Sequence, residues 1–377
     1  MRVLWLIKGL GPGGAERLLV SAAHVHDRDR FSIDVAYLLA GKDHLTGELA
    51  AAGVTVHLLS PTCAGDPRWP WRLRRLLGSG RYDVVHVHSP LLAVAARALC
   101  FTLGGRRRPR LMSTEHNVWS NHAWPTRVSN FLTWGADDVR LAVSDDVRAS
   151  VWPPSRRRRV EVLLHGTELA PLRAARAQRD EVRRRLGVRA DEILVGTVAN
   201  FRAQKAYPDL LQAARHVLDR GLPVRFIAAG QGPLEAEVRR LHAELALGER
   251  FSLLGYRDDV PALLGACDVF VMTSRNEGSP VAVMEAVAAG LPVVATDVTG
   301  IDTVVRHDIE ALLVPAGRPE LMAGALARVA SDPELRERLA VAASRRAEHF
   351  DISRTVRRLE ELYRSVVTPS TVHRPRR

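Results

Sequence analysis

Two glutamates, Glu277 and Glu285, lie in the stretch 274–296, SRNEGSPVAVMEAVAAGLPVVAT, the second of them among apolar neighbours. Carboxylates are rarely buried without partners, so a pair framing a helix start points to a polyhydroxyl ligand, with anionic groups favoured at the helix end. Residues 268–274 read as a short buried strand and 275–279 as the polar loop that leaves it. A helix should follow, with Ser279 as its cap, Pro280 at its first position, and Gly290 and Pro292 as its stop. Glu277 then sits in the loop. Glu285 sits in the helix, roughly 7 Å along the axis from Pro280 at about 1.5 Å per residue.

Other polar groups recur where strands should end. In Asn200-Phe-Arg202-Ala-Gln-Lys205, Arg202 offers a bidentate fork and Lys205 a point charge; the pair suits a diphosphate or else is two solvated cations. The loops at Gly230 and Tyr256 suit backbone contacts with a nucleobase or ribose. Near the N-terminus, Lys8-Gly-Leu-Gly-Pro-Gly-Gly-Ala-Glu16 joins a strand to a helix. Its glycines, Gly13 and Gly14 among them, either make a tight turn or admit a phosphate or sugar, and Pro12 spoils a dinucleotide fingerprint. His86 and His88 alternate along one strand and share a face, which suits pocket lining better than a metal, since a third ligand is missing. His116 ends the next strand, as a donor to substrate or as a structural histidine. Asp27-Arg-Asp29 follows a helix and is no metal motif.

Positioning these residues requires parallel layers. Strand-length apolar runs occur at 3–7, 33–39, 54–59, 83–88, 111–114, 139–143 and 160–164, then at 193–199, 224–229, 251–254, 269–273, 293–296 and 311–314. Helical segments between them give an α/β chain of two doubly wound, Rossmann-like domains facing across a cleft, with ligands beyond the carboxyl ends of the strands. The first domain is expected over 1–168 and the second over 169–350. A helix over 351–366 crosses back to the first, within a helical segment 333–366, and 367–377 is a basic, disordered tail. Residues 168–185, charged and rich in Ala and Arg, read as a linker leading into a helix.

Composition narrows the partners. The 377 residues are 46% hydrophobic and 25% charged, as in soluble globular chains, and no apolar run is long enough to span a membrane. Cys63, Cys100 and Cys267 are scattered and odd in number, which suits reduced thiols in a cytoplasm. The net charge of +12 gathers at Arg72/Arg74/Arg75, Arg106–Arg108 with Arg110, Arg156–Arg159, and the tail Arg374, Arg376 and Arg377. Either these are solvated surface or they meet an anionic membrane. Nucleic acid is not expected, because the aromatics (5%) are not interleaved with the arginines.

Several of these pieces together resemble one family, the retaining glycosyltransferases of family four, with the GT-B fold. The resemblance runs from Gly13-Gly-Ala-Glu16 through His88-Ser-Pro and the Asp145 region to about Tyr363. Its most specific part is Glu277-x7-Glu285 within Glu-Gly-x-Pro-x4-Glu-Ala-x-Ala-x-Gly. It implies transfer of a hexose from a nucleotide diphosphate sugar to an acceptor hydroxyl, on a glycan or lipid-linked acceptor, with retention and no metal or other cofactor. By the same resemblance Glu277 contacts the donor sugar and Gly278, Ser279, Pro280 and Val281 present backbone amides. Glu285 holds the ribose, and Arg202 and Lys205 stabilise the departing diphosphate. His116 lies near the reacting centre, and Gly13, Gly14, Glu16 and His88 form the acceptor or phosphate side. This chain departs from the pattern at Asn200, where relatives have Arg, and at Ala206, where they have Gly. His165-Gly166 stands for an Asn-Gly, and Thr299-Gly300-Ile301-Asp302 for a Gly-Gly-x-x-Glu turn. A sugar-nucleotide epimerase on the same fold, and a non-catalytic basic module bound to membrane or nucleic acid, are the alternatives. Cytoplasmic location, with docking at the inner face of the membrane, is the accompanying expectation.

Overall fold

A computed structural model describes residues 1–11, 13–61, 66–104 and 108–368. Pro12, Cys63, Arg106, Arg107 and the tail arginines lie outside the described residues. The chain divides into two compact units, Met1–His165 with the segment from Ile352 onward, and Gly166–Asp351.

The first unit is built on seven strands: β1 (Arg2–Ile7), β2 (Ser32–Tyr37), β3 (Thr55–Leu58), β4 (Val84–Val87), β5 (Arg110–Glu115), β6 (Val139–Ala142) and β7 (Glu161–Val162). All pair in parallel in the order β3-β2-β1-β4-β5-β6-β7. Their Val, Ile and Leu runs are buried because helices cover both faces of a parallel sheet. The helix Ile352–Val367 belongs to this unit: Ile352, Val356, Leu359, Leu362 and Tyr363 join the core of Val3, Trp5 and Ile33. Trp5 Nε1 donates to the Tyr363 hydroxyl at 3.0 Å.

The second unit has six parallel strands: β8 (Ile193–Val198), β9 (Val224–Ala229), β10 (Phe251–Gly255), β11 (Val269–Met272), β12 (Val293–Thr296) and β13 (Ala311–Val314), in the order β10-β9-β8-β11-β12-β13. In each sheet the chain reverses direction of winding once, between β1 and β4 and between β8 and β11. The loops beyond those strands are where an open parallel sheet receives ligands.

One expectation changes. Residues 168–185, expected as a linker leading into a helix, are helical almost throughout, in the helices Leu169–Ala174 and Arg179–Arg185. Arg179 and Arg183 clamp Asp268 at 2.5 and 2.9 Å, and Asp268 in turn accepts from the Leu194 amide at 2.8 Å. Their charge is spent on tethering the start of β8 to β11. Residues 333–366 are helical, as expected, and the helix Ile352–Val367 answers to the run 351–366. The helix Pro333–Arg346 gives way to a 3-10 turn at Ala347–Phe350, whose Phe350 carbonyl accepts from the Thr167 amide at 2.7 Å.

Candidate active site

In the second unit, the loops after β8, β9 and β10 are laced together by backbone hydrogen bonds. Phe201 donates to the Gln231 carbonyl at 3.0 Å and Gly230 to the Gly255 carbonyl at 2.8 Å. A Cβ at Gly230 would lie 2.0 Å from the Ala199 carbonyl oxygen, so only glycine permits this approach. Tyr256, after β10, is exposed.

Lys205 closes the 3-10 turn Ala203–Lys205, ahead of the helix Tyr207–Asp219. Thr273, just past β11, donates to the Lys205 carbonyl at 3.0 Å, and the Arg275 amide donates to the Gln204 carbonyl at 2.7 Å. These bonds fix the loops after β8 and β11 side by side. Lys205 Nζ therefore meets Glu277 Oε1 at 2.5 Å, and the buried Ser274 hydroxyl donates to the same oxygen at 2.6 Å. A buried carboxylate with two donors on one oxygen is held in place and satisfied there. Its backbone is braced by the turn at Thr299-Gly300, where the Thr299 carbonyl accepts from the Glu277 amide at 3.2 Å. Gly300 has φ +91°, and a Cβ there would fall 2.5 Å from the Glu277 carbonyl oxygen. Arg202 extends from the same loop as Lys205 but is exposed.

Ser279 does not cap the following helix. That helix runs Val281–Ala288 with Pro280 itself at the cap position, leaving Ser279 one residue too early to reach the free amides. The Ser279 hydroxyl is buried without a hydrogen-bond partner among the described residues, beside Gly278 and Val281. Glu285 lies one turn inside the helix and is half-buried, while Val283, Met284, Ala286 and Val287 are fully buried.

In the first unit, Gly13 precedes the helix Gly14–Val25, and Glu16 folds back over it, its carboxylate 2.2 Å from where a Gly13 Cβ would be. The Lys8 amide donates to the Ser89 hydroxyl at 2.9 Å, which ties the glycine loop to the end of β4. His88 and His116 share a hydrogen bond between Nδ1 and Nε2 at 3.1 Å. The rings form a continuous row: His86 to His88 at 4.2 Å, His88 to His116 at 5.3 Å and His116 to His165 at 5.1 Å between centroids. Burial pushes His116 down to about 4 and His86 to about 3, and holds His88 and His165 well below the ordinary imidazole range. The row is neutral near pH 7. His86 is not a pocket-lining group: it is fully buried and bonded to the Tyr363 hydroxyl (2.7 Å) and Thr114 (2.7 Å). One nitrogen of His88, one of His116 and both of His165 are buried without partners among the described residues.

Next to His116, Glu115 is driven up to about 7 by burial, against a bond from Asn130 to Oε1 at 3.0 Å. Behind it the fully buried Arg97 grips Asp137 through two nitrogens at 2.8 and 2.5 Å. Sequence reading missed this network and the place of His165 in the row. An arginine inside the apolar helix Pro90–Phe101 was the signal for the first; nothing local marked the second. Among the described residues no group of three or more His, Cys, Asp or Glu is arranged to hold a metal ion, and no helix is long and apolar enough to cross a membrane.

Residues 12–170 match the family described as Glycosyltransferase Family 4, and residues 178–346 match Glycosyl transferases group 1. The chain is 30% identical over 309 residues to a D-inositol 3-phosphate glycosyltransferase of Corynebacterium urealyticum, covering 79% of this chain and 69% of that relative. It is 23% identical over 378 residues, 94% of each chain, to the UDP-Gal:alpha-D-GlcNAc-diphosphoundecaprenol alpha-1,3-galactosyltransferase of Escherichia coli. Among solved structures, Anabaena HepE in complex with UDP-glucose matches its fold with a TM-score of 0.85 at 22% identity, covering 97% of this chain and 100% of that one. The chain belongs to glycosyltransferase family 4 and is a glycosyltransferase with the GT-B fold.

Proposed function

We propose that this enzyme transfers a hexose from a uridine diphosphate sugar to an acceptor hydroxyl, with retention at the anomeric carbon and without a metal, in the synthesis of a cell-envelope glycan or glycolipid. The observation that carries this reading is the Lys205–Glu277 pair at the β8/β11 reversal, braced from both sides by backbone bonds. In it, Glu277 orients the donor sugar hydroxyls. Lys205, with Arg202 swinging in from the same loop, meets the negative charge that grows on the departing diphosphate, the most effective place for a fixed cation. Gly278, Ser279, Pro280 and Val281 line the sugar and phosphate, with the free Ser279 hydroxyl as an additional donor. Glu285 holds the ribose, and Gly230 and Tyr256 flank the base.

No covalent nucleophile is assigned. Glu277 Oε1 already accepts from Lys205 and Ser274, a poor state for attack, so the acceptor enters on the face that the diphosphate leaves, and the diphosphate takes its proton. His116, neutral at working pH, donates a hydrogen bond near the reacting centre. His88, Gly13, Gly14 and Glu16 serve the acceptor or phosphate side. UDP-glucose and UDP-galactose are the first donors to try, since related proteins carry those names. A glycan or lipid-linked acceptor, reached at the cytoplasmic face of an anionic membrane, completes the reading.

Incubation with radiolabelled nucleotide sugar and a membrane extract tests it. Label moving into lipid or glycan as an α-linked product supports the proposal. Label confined to an altered free nucleotide sugar would indicate an epimerase, and an inverted linkage would remove the retaining mechanism.

A further inference from the structure

Helices on a protein surface ordinarily turn their apolar stripe to the core. The helix Trp124–Thr133 in the first unit does the opposite. Its inward residues are polar: Asn130 is fully buried and accepts from Arg97 at 2.5 Å while donating to Glu115, and Thr133 accepts from Arg97 at 3.1 Å. Its most outward residues, Arg127 apart, are apolar. Trp124 and Leu132 are each 73% exposed, with Val128 between them at 36%. At four-residue spacing the three form one stripe.

The stripe continues onto neighbouring elements. Phe131 packs against Trp152, ring centroids 5.0 Å apart and planes tilted by 46°, and Trp152 is itself 58% exposed. Phe101, 67% exposed, shares an open groove with Leu132 and Arg108. Around this apolar band lie guanidinium groups. Arg108 sits 4.8 Å over the Phe101 ring and Arg156 4.2 Å over Phe131, and Arg127 and Arg159 are exposed. Between residues 101 and 160 the sequence has eleven arginines against five carboxylates. Two of the five, Glu115 and Asp137, are buried, and Asp138 and Asp145 pair with Arg110 and Arg148.

This helix cannot rotate to hide its apolar side. Doing so would strip Arg97 of Asn130 and Thr133 and strand a buried charge, one of the costlier changes in a protein interior. The exposed band is therefore fixed by the network beneath it. From this juxtaposition we infer that the outward face of Trp124–Thr133, with Phe101 and Trp152, is a docking surface for an anionic lipid bilayer. Trp124, Leu132 and Phe101 enter the boundary between headgroups and acyl chains, where tryptophan is favoured, and the arginines stay at phosphate level. A second copy of the chain suits the face less well, because a two-fold contact would bring the arginine rim against itself. The inference deepens the membrane attachment within the proposed function, yet stands apart from the transfer chemistry.

Flotation of the full chain with phosphatidylcholine vesicles, with and without phosphatidylglycerol, tests it. The expected result is at least tenfold stronger binding to the anionic vesicles, weakening as salt rises. Trp124→Ser with Leu132→Ser should lower that binding at least tenfold while the thermal unfolding midpoint and transfer to a water-soluble acceptor are unchanged. Arg127→Gln with Arg159→Gln, which touches no core residue, should lower it several-fold and flatten the salt dependence. Equal flotation of wild type and both variants, or no flotation of wild type on anionic vesicles, overturns the inference. So does a concentration-dependent dimer in sedimentation that Trp124→Ser with Leu132→Ser abolishes, for the face then belongs to a second copy. A vesicle-binding protein with no transferase activity would leave the docking surface standing and remove the proposed reaction.

Discussion

At the β8/β11 edge Lys205 and Glu277 face each other as an ion pair, whereas in the first unit His86 in β4, His88 and His116 just past β4 and β5, and His165 beyond β7 are pressed into a row of neutral rings. The two units share a parallel sheet with one reversal of winding, so the contrast comes from what the loops carry. Donor chemistry needs a fixed positive charge where a diphosphate departs. In the proposed reaction an acceptor hydroxyl is met by hydrogen bonds from neutral groups. The charged loop is held by the Thr273 hydroxyl, the Arg275 amide and the Thr299 carbonyl, and the neutral row by burial and tilted ring contacts.

Removing the charge at the first edge should have the largest effect. Lys205→Ala is expected to lower kcat by roughly 100- to 1000-fold, about 3–4 kcal/mol of lost transition-state stabilisation, with a smaller change in KM for the nucleotide sugar. Steady-state kinetics of both constants check this. A change confined to KM would mean that Lys205 binds ground and transition states alike. Glu277→Ala should cost at least tenfold, a barrier change of about 1.4 kcal/mol, and unchanged turnover would remove Glu277 from the site.

The neutral row should respond to pH instead. Four imidazoles whose folded values lie below 6.5 contribute stability that is present above 6.5 and is lost as the pH falls from there toward about 4. Glu115 acts in the opposite sense: raised to about 7, it adds stability as the pH falls from there toward 4.5. One carboxyl against four rings leaves a net loss in the first unit. In the second unit, burial raises Glu192 and Glu310, but their arginine partners outweigh it and hold both below the ordinary value of 4.5, so their stabilisation is lost only in more acid solution. Four rings lose about one unit each and Glu115 returns little more than one, so hydrogen exchange at pH 5.5 against pH 7.5 should show at least roughly 100-fold lost protection in β4 and β5 and little change in β8 and β11, each pKa unit being about 1.4 kcal/mol. Equal loss in both sheets would erase the contrast.

How much of this could be read from residues alone follows the same division. Each of the thirteen strands among the described residues lies on an apolar run of the sequence, because a strand buried on both faces is largely apolar. Their ends shift by a few residues, and 160–164 shrinks to Glu161–Val162. Glu277 and Lys205 were legible as candidates, since ions at strand ends stand out, but their mutual bond depends on loops 72 residues apart. His165 joins the row only through the fold. The helix Trp124–Thr133 inverts the usual pattern because its interior is fixed by Arg97, which no local periodicity announces.

The smallest effect is expected where the charged loop holds its backbone. Ala206, next to Lys205, has φ +47° and ψ +49°, left-handed geometry that costs a residue with a Cβ roughly 1–2 kcal/mol. Thr273 binds the Ala206 carbonyl at 3.2 Å and the helix Tyr207–Asp219 starts at the next residue, so neighbours on both sides enforce the angle. Ala206→Gly relieves the strain but loses roughly 0.5–1 kcal/mol to the greater freedom of the unfolded chain. The balance is a gain of about 0.5 kcal/mol, read as a higher urea midpoint with an unchanged slope and kcat within about twofold. Ala206→Val, with a branch at Cβ, should instead destabilise the protein, because such residues are outliers in this conformation. A glycine variant that loses both midpoint and turnover would show that the Ala206 methyl, buried in the second core, fixes Lys205 more than the torsion angle opposes it.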